Sequence, residues 1–270
     1  MPRSLFSPGR WLGAHLLLVF LFLYLPIVVL IVLSFNESGL PTAWTGFSTR
    51  WYESVATNEK ILGAAATTIF IATMSTIIAT AIGTLLALGL ERLTNNALLD
   101  GLVFIPGIIP DIVLAIALLS FYNLVFTGVL GLKLGAWSVI LAHVVFNITF
   151  VTAIVRTRLR HFDISIEEAS LDLGASRIRT FARITFPLLS RAFFAGVIYI
   201  FIRGMTDLST AVFLNAGRTQ LYTVRMFRVI VTGSPSEAAA FAGLLIVIIL
   251  IALGVLSKIT GKSFVDLFRI

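Results

Sequence analysis

Apolar positions fall in long, nearly unbroken runs separated by short polar stretches, and this pattern alone predicts membrane spans. Six runs reach the roughly 20 residues needed to cross a hydrocarbon core about 30 Å thick: residues 11–35, 62–90, 98–126, 137–155, 192–213 and 238–256. They lack the ten-residue alternating segments of an outer-membrane strand, which excludes a barrel. The second run is long enough to tilt or to project beyond the bilayer. Pro106, Gly107 and Pro110 predict a kink or break in the third, because proline removes a helix hydrogen bond and crowds the preceding turn. The first holds Pro26, has no small-residue cleavage site after it, and reads as an uncleaved anchor rather than a signal peptide. The expected architecture is an all-α integral membrane protein of six transmembrane helices, a single domain over residues 1–270.

Composition agrees. The chain is 58% apolar and 12% charged, against about 25% charged in soluble domains, and its mean hydropathy is +1.02. A net charge of +7 would suggest nucleic acid in a soluble chain, but here the placement of the charges carries the information. With the N-terminus inside, thirteen Lys and Arg fall on inner segments and six on outer ones. Inner loops collect basic residues, so both termini are expected in the cytoplasm. The aromatic stretch from Trp44 to Tyr52 then faces outward as an interface anchor or a surface for a soluble binding protein. With no cysteine there is no disulfide framework or thiol nucleophile.

The polar stretch 156–191 stands apart. It holds seven arginines and four acids, Asp163, Glu167, Glu168 and Asp172. Ser165 is expected to cap a helix with Glu167 and Glu168 in its first turn, where the helix dipole favours acids. Ile166, Ala169 and Leu173 fall at helical spacing along it. Gly174 permits a chain reversal because glycine tolerates positive φ. Ser176 is expected to cap a second helix bearing Ile178, Phe181 and Ile184, with Pro187 breaking it ahead of the fifth span. Two short helices joined at a glycine elbow would thus hang beneath the bilayer.

The spacing of this stretch resembles the cytoplasmic EAA signature of bacterial ABC importer permeases. That signature reads Glu-Ala-Ala, three residues, Gly, nine residues, then Ile, one residue, Leu-Pro. Glu168, Ala169, Gly174, Ile184 and Pro187 match it; Ser170 stands for the second Ala and Phe186 for Leu. The resemblance spans essentially the whole chain. It implies a type I importer permease fold and a coupling helix formed by Glu167, Glu168, Ala169, Ser170, Asp172 and Gly174, with Ile184 and Pro187 completing the signature. It also implies no cofactor on this chain, ATP being bound by two copies of a separate ATPase. The other implied partners are a second permease forming a heterodimer and a periplasmic or extracellular solute-binding protein, assembled in a bacterial inner membrane. Trp44 to Tyr52, Pro110 to Val113 and Asp172 to Ser176 are most similar to the second permease of spermidine/putrescine importers. Met205 to Leu214 looks more like ferric-iron permeases. Polyamine is the favoured cargo, with ferric iron, phosphonates and opines as alternatives.

Ionisable groups at membrane depth are functional candidates because burying them is costly. Asp111, Asp207, His143 and Asn147 are the candidate substrate-path residues. Each also has a structural reading: Asp111 at the N-terminus of a restarted helix, Arg203 neutralising Asp207 one turn away, and His143 with Asn147 bonding across helices. Gly63, Gly83, Ala87 and Gly89 are expected to let helices approach closely. The Gly261-Lys262-Ser263 run lacks the earlier glycine and the strand of a phosphate loop and reads as a polar tail. No nucleophile–base pair or metal constellation suggests an enzyme. A carrier driven by an ion gradient is the alternative from another class, but it would have no use for a hinged docking helix.

Overall fold

The computed structural model describes residues 8–39, 43–93, 96–214 and 219–260, so the 261–263 run and Arg218 lie outside the described residues. Among these residues the structure is helical, with one isolated bridge between Asn36 and Phe47. Five helices are long and apolar enough to cross a membrane, or six if one bent pair counts as a single span. The chain gathers into two compact units, Met1–Leu62 with Met226–Ile248, and Gly63–Arg225 with Ile249–Ile270.

In the first unit, α1 (Pro8–Ser34) carries a 24-residue apolar stretch that runs through Pro26 without interruption. The segment after it is organised by Asn36, which is fully buried. Its Nδ2 donates to the Ala43 carbonyl at 2.9 Å, and its Oδ1 accepts from the Thr45 amide at 3.0 Å. Trp51 Nε1 donates to the Asn36 carbonyl at 2.9 Å. Trp51 opens the short helix α2 (Arg50–Thr57), so this bond fixes α2 to the loop. Phe35 packs between Phe47 and Tyr52, at centroid separations of 5.3 and 4.9 Å. Tyr52 also lies so close to Gly243 that a Cβ there would meet its hydroxyl at 2.8 Å. The Trp44–Tyr52 stretch is therefore a braced platform, with Trp44 and Phe47 left exposed on it.

The second unit is built around α6 (Ala136–Arg160), the most buried of the apolar helices. It packs against α4 (Ala97–Ile108) and α9 (Phe186–Thr206), while α10 (Ser209–Leu214) touches both α6 and α5 (Asp111–Phe121). The long helix α3 (Glu59–Arg92) meets α6 at Gly83, where a Cβ would fall 2.8 Å from Val151 Cβ. Thr152 Oγ1 reaches the Gly83 carbonyl at 3.2 Å across the same crossing. Ala87 is fully buried in that cluster. Gly63 and Gly89, by contrast, have nothing within 4 Å of a Cβ and make no close crossing.

The third run is broken rather than kinked. α4 ends at Ile108, Ile109 and Pro110 are extended, and α5 starts afresh at Asp111. Thr149 Oγ1 donates to the Val103 carbonyl at 2.8 Å beside the interrupted turn, the kind of side-chain bond that makes proline tolerable within a span. α5 then widens into a π-helical stretch, Tyr122–Val129.

Two expectations about the polar stretch change. In α7 (Ser165–Asp172) Ser165 makes no side-chain cap; Asp163 Oδ1 instead accepts the Ser165 amide at 3.0 Å. The acid two residues upstream can satisfy that orphan donor because the chain turns at Ile164. Pro187 does not end the second helix either. The chain stays helical from α8 (Arg177–Thr180) through a π turn, Phe181–Thr185, into α9. Pro187 is the second residue of α9, directly after the π turn. The direction changes further on, by 57° between Arg177–Ser190 and Phe193–Thr206.

Candidate functional site

The glycine elbow forms as its sequence demands. Gly174 has φ of +83°, its amide donates to the Leu171 carbonyl at 2.9 Å, and Ala175 donates to Ser170 at 3.1 Å. These are the paired bonds of a Schellman turn, which closes a helix C-terminus around a residue in the left-handed region. Ser176 then caps the next helix, its Oγ accepting the Arg179 amide at 3.3 Å. Ser170 Oγ and Thr180 Oγ1, 3.0 Å apart, lock the two arms together.

The candidate coupling residues divide between two surfaces. Glu168, Ala169, Asp172 and Gly174 are exposed, and Leu173 beside them is 89% exposed. Ile166 and Ile178 are exposed as well, whereas Phe181 packs against Phe186 and Ile184 is half-buried, so the apolar stripes are bare at the elbow and covered toward α9. Glu167 points the other way. Its carboxylate accepts from Arg92 Nη2 at 2.6 Å and from the Thr185 hydroxyl. It ties α7 to the end of α3 and to the π turn next to Ile184 and Pro187. Asp163, outside the spans, has its carboxyl held below the usual range by the Ser165 hydroxyl and amide.

Just above the elbow lies a knot that the sequence reading did not single out. Arg156 on α6 donates through Nε to Glu91 at 2.6 Å and through Nη1 and Nη2 to the two oxygens of Asp100, at 2.8 and 3.0 Å. One guanidinium thus clasps the ends of α3, α4 and α6. Its signal was two acids, Glu91 and Asp100, placed at span ends where arginine predominates.

The candidate path residues converge, but with partners other than those expected. Asp207 does not pair with Arg203. α9 ends at Thr206 and Asp207 takes an extended conformation, so the helical i, i+4 geometry is lost. Asp207 accepts instead from His143 Nε2 at 3.1 Å and from the amides of Thr210 and Ala211 at 3.4 and 3.1 Å. Arg203 reaches Asp111 at 2.7 Å, across from α9 to the first residue of α5. Its guanidinium carbon lies 4.8 Å from the Phe150 ring centroid and 5.5 Å from Phe146. His143, Phe146, Asn147, Arg203, Gly204, Asp207 and Thr210 line a cavity of about 10 Å³, room for about one water. His143 Nδ1 and Asn147 Oδ1 are buried there without a hydrogen-bond partner among the described residues. No group of three His, Cys, Asp or Glu able to hold a metal occurs among the described residues.

Comparison with known proteins gives this geometry its context. Residues 79–266 match the family described as binding-protein-dependent transport system inner membrane component. The spermidine/putrescine transport system permease protein PotC of Escherichia coli (strain K12) is 35% identical over 246 residues, covering 90% of this chain and 91% of its own. The putrescine transport system permease protein PotI of the same organism is 32% identical over 241 residues, covering 87% and 85%. In fold, the bacterial alginate ABC transporter in complex with alginate pentasaccharide-bound periplasmic protein superposes with a TM-score of 0.71, over 94% of this chain and 97% of that one, at 16% identity. A stand-alone carrier driven by an ion gradient is thereby set aside. The chain belongs to the inner-membrane permease components of binding-protein-dependent transport systems, as a non-catalytic, multi-pass subunit whose ATPase is a separate protein.

Proposed function

We propose that this permease forms half of a pathway for polyamines and receives work from its ATPase through α7. The observation that carries the coupling reading is the division of α7 into two faces. Glu168, Ala169, Asp172 and Leu173 lie bare on one side, while Glu167 fastens the other to α3 and to the π turn ahead of α9. A push on the bare face would travel through Glu167 to the span ends rather than bend a loose loop. Both termini and the elbow lie in the cytoplasm, with two ATPase copies below, a homologous second permease alongside and a solute-binding protein outside.

The cargo reading rests on the curated relatives named for spermidine and putrescine and on the chemistry of the path candidates. Asp111 is 47% exposed on its side chain, and a half-exposed carboxylate at membrane depth faces water or a partner rather than lipid. Phe146 and Phe150, against which the Asp111-bonded Arg203 lies, offer ring faces, which attract cations. Asp111 serves as the cation-facing acid, while Asp207, His143 and Asn147 form the polar lining behind it.

The coupling reading is tested at Gly174, where any L side chain is strained by the positive φ. Gly174→Val should lower ATP-driven uptake more than about tenfold and uncouple hydrolysis from transport, with membrane insertion unchanged. Gly174→Asn, which tolerates left-handed backbone, should retain most activity. Normal transport by the valine variant refutes the elbow's role. The cargo is tested by asking which solute, delivered by its binding protein, stimulates ATP hydrolysis in the purified assembly. Stimulation by ferric iron, a phosphonate or an opine in place of a polyamine would reassign it.

A further inference from the structure

Arg203 is held in an unusual way for a charged residue at this depth. Arg156 makes three N–H bonds to two carboxylates. Arg203 makes one ionic bond among the described residues, to a single oxygen of Asp111. The rest of its guanidinium lies over the faces of Phe146 and Phe150. A carboxylate and two ring faces that together hold a guanidinium can hold another organic cation, and here the cation is supplied by the protein.

Three features show that this occupant has somewhere else to go. The cavity that Arg203 lines also contains the Asp207 carboxylate. The same cavity presents Asn147 Oδ1, a buried acceptor without a donor among the described residues. Asp111 is 47% exposed on its side chain and does not line that cavity, so an ammonium can reach it without passing through a space that holds about one water.

Building on the polyamine reading, we propose that Arg203 is a tethered competitor for the cation site of Asp111, Phe146 and Phe150. An arriving primary ammonium takes its place on Asp111. Arg203, which already lines the small cavity, turns its freed N–H donors toward Asp207 and Asn147 without the guanidinium having to enter a space that holds about one water. When the permease changes state the guanidinium returns and expels the cargo. The exchange replaces one cation by another, so Asp111 is never left without a counter-charge. Arginine suits the part because it stays protonated at any physiological pH. Tethered by its own side chain, it competes at an effective concentration of at least about the millimolar scale, enough to keep the site weak and therefore fast to empty.

The test uses the whole assembly in proteoliposomes with its binding protein and radiolabelled spermidine, measuring uptake and the label retained by the permease. Arg203→Met should raise retention roughly tenfold while lowering the turnover rate at least fivefold. Asp111→Asn in the same background should abolish the extra retention. If the methionine variant fails to assemble, Arg203→Gln serves, with the same outcome expected. Retention no greater than in the unaltered assembly, with ATP hydrolysis intact, overturns the tether. So does full recovery of transport in the Asp111→Asn, Arg203→Met double variant, which would make Arg203 a mere counter-charge. No spermidine uptake by the unaltered assembly overturns the cargo reading itself, and the tether with it.

Discussion

Two arginine–carboxylate clusters in the second unit use the same groups to opposite ends. At the ends of three helices Arg156 engages two acids on two other helices, and its side chain is 11% exposed. Deeper in, Arg203 engages one oxygen of one acid, with 25% of its own side chain and 47% of the Asp111 side chain exposed. A charge bonded through all three guanidinium nitrogens, away from water, holds its neighbours in one arrangement, because any other leaves a buried charge uncompensated. A charge with donors to spare and water at its edge can change partners cheaply. The first cluster is a clamp and the second the proposed exchange point. Counting ion pairs would not have separated them.

The largest effect should come from breaking the clamp. Arg156→Met leaves Asp100 without its cation and Glu91 with only the longer bond to Arg160, at 3.4 Å. Removing one partner of a buried pair costs about 3–5 kcal/mol, and the partial exposure of both acids reduces the expected loss to about 2 kcal/mol. Thermal unfolding of the solubilised assembly should register it as a clear fall in Tm, with uptake lost in proportion to assembly. The exchange point should behave the other way. Asp111→Asn should cut uptake of a cationic solute several-fold while expression and Tm stay within error; a fall in Tm like that of Arg156→Met would erase the distinction. Glu167→Gln should be milder still. It keeps a bond to Thr185 but loses the Arg92 charge, so the ATP hydrolysed per solute moved should rise about twofold, with Tm almost unchanged. The smallest effect concerns pH. Asp163 has a lowered carboxyl pKa, so its support for the start of α7 is complete above the ordinary carboxylate value and is lost only as pH falls through the lowered one. Protease accessibility of α7 should therefore be flat between pH 8 and 5.

Periodicity and local chemistry carried the reading of the spans and the elbow. The break at Pro110, the reversal at Gly174 and the Ser176 cap each depend on residues within a turn of one another, and the sequence displays them. Long-range pairing was not legible. Arg156 meets partners 56 and 65 positions away, and nothing local in the arginine-rich stretch marks it from its neighbours. The Arg203–Asp207 expectation failed for a related reason. Its i, i+4 spacing is meaningful only if the helix continues, and the helix stops one residue before Asp207. At Pro187 the opposite occurred: a π turn ahead of the proline kept the helix going where a stop was expected.

Gly174 has open space where a Cβ would sit, with nothing within 4 Å. What this position excludes is therefore chirality, not bulk. A mirror-image residue such as D-alanine, introduced by semisynthesis, should fit the elbow where L-alanine strains it. The lever's shape would then be traced to one stereocentre the natural chain does without.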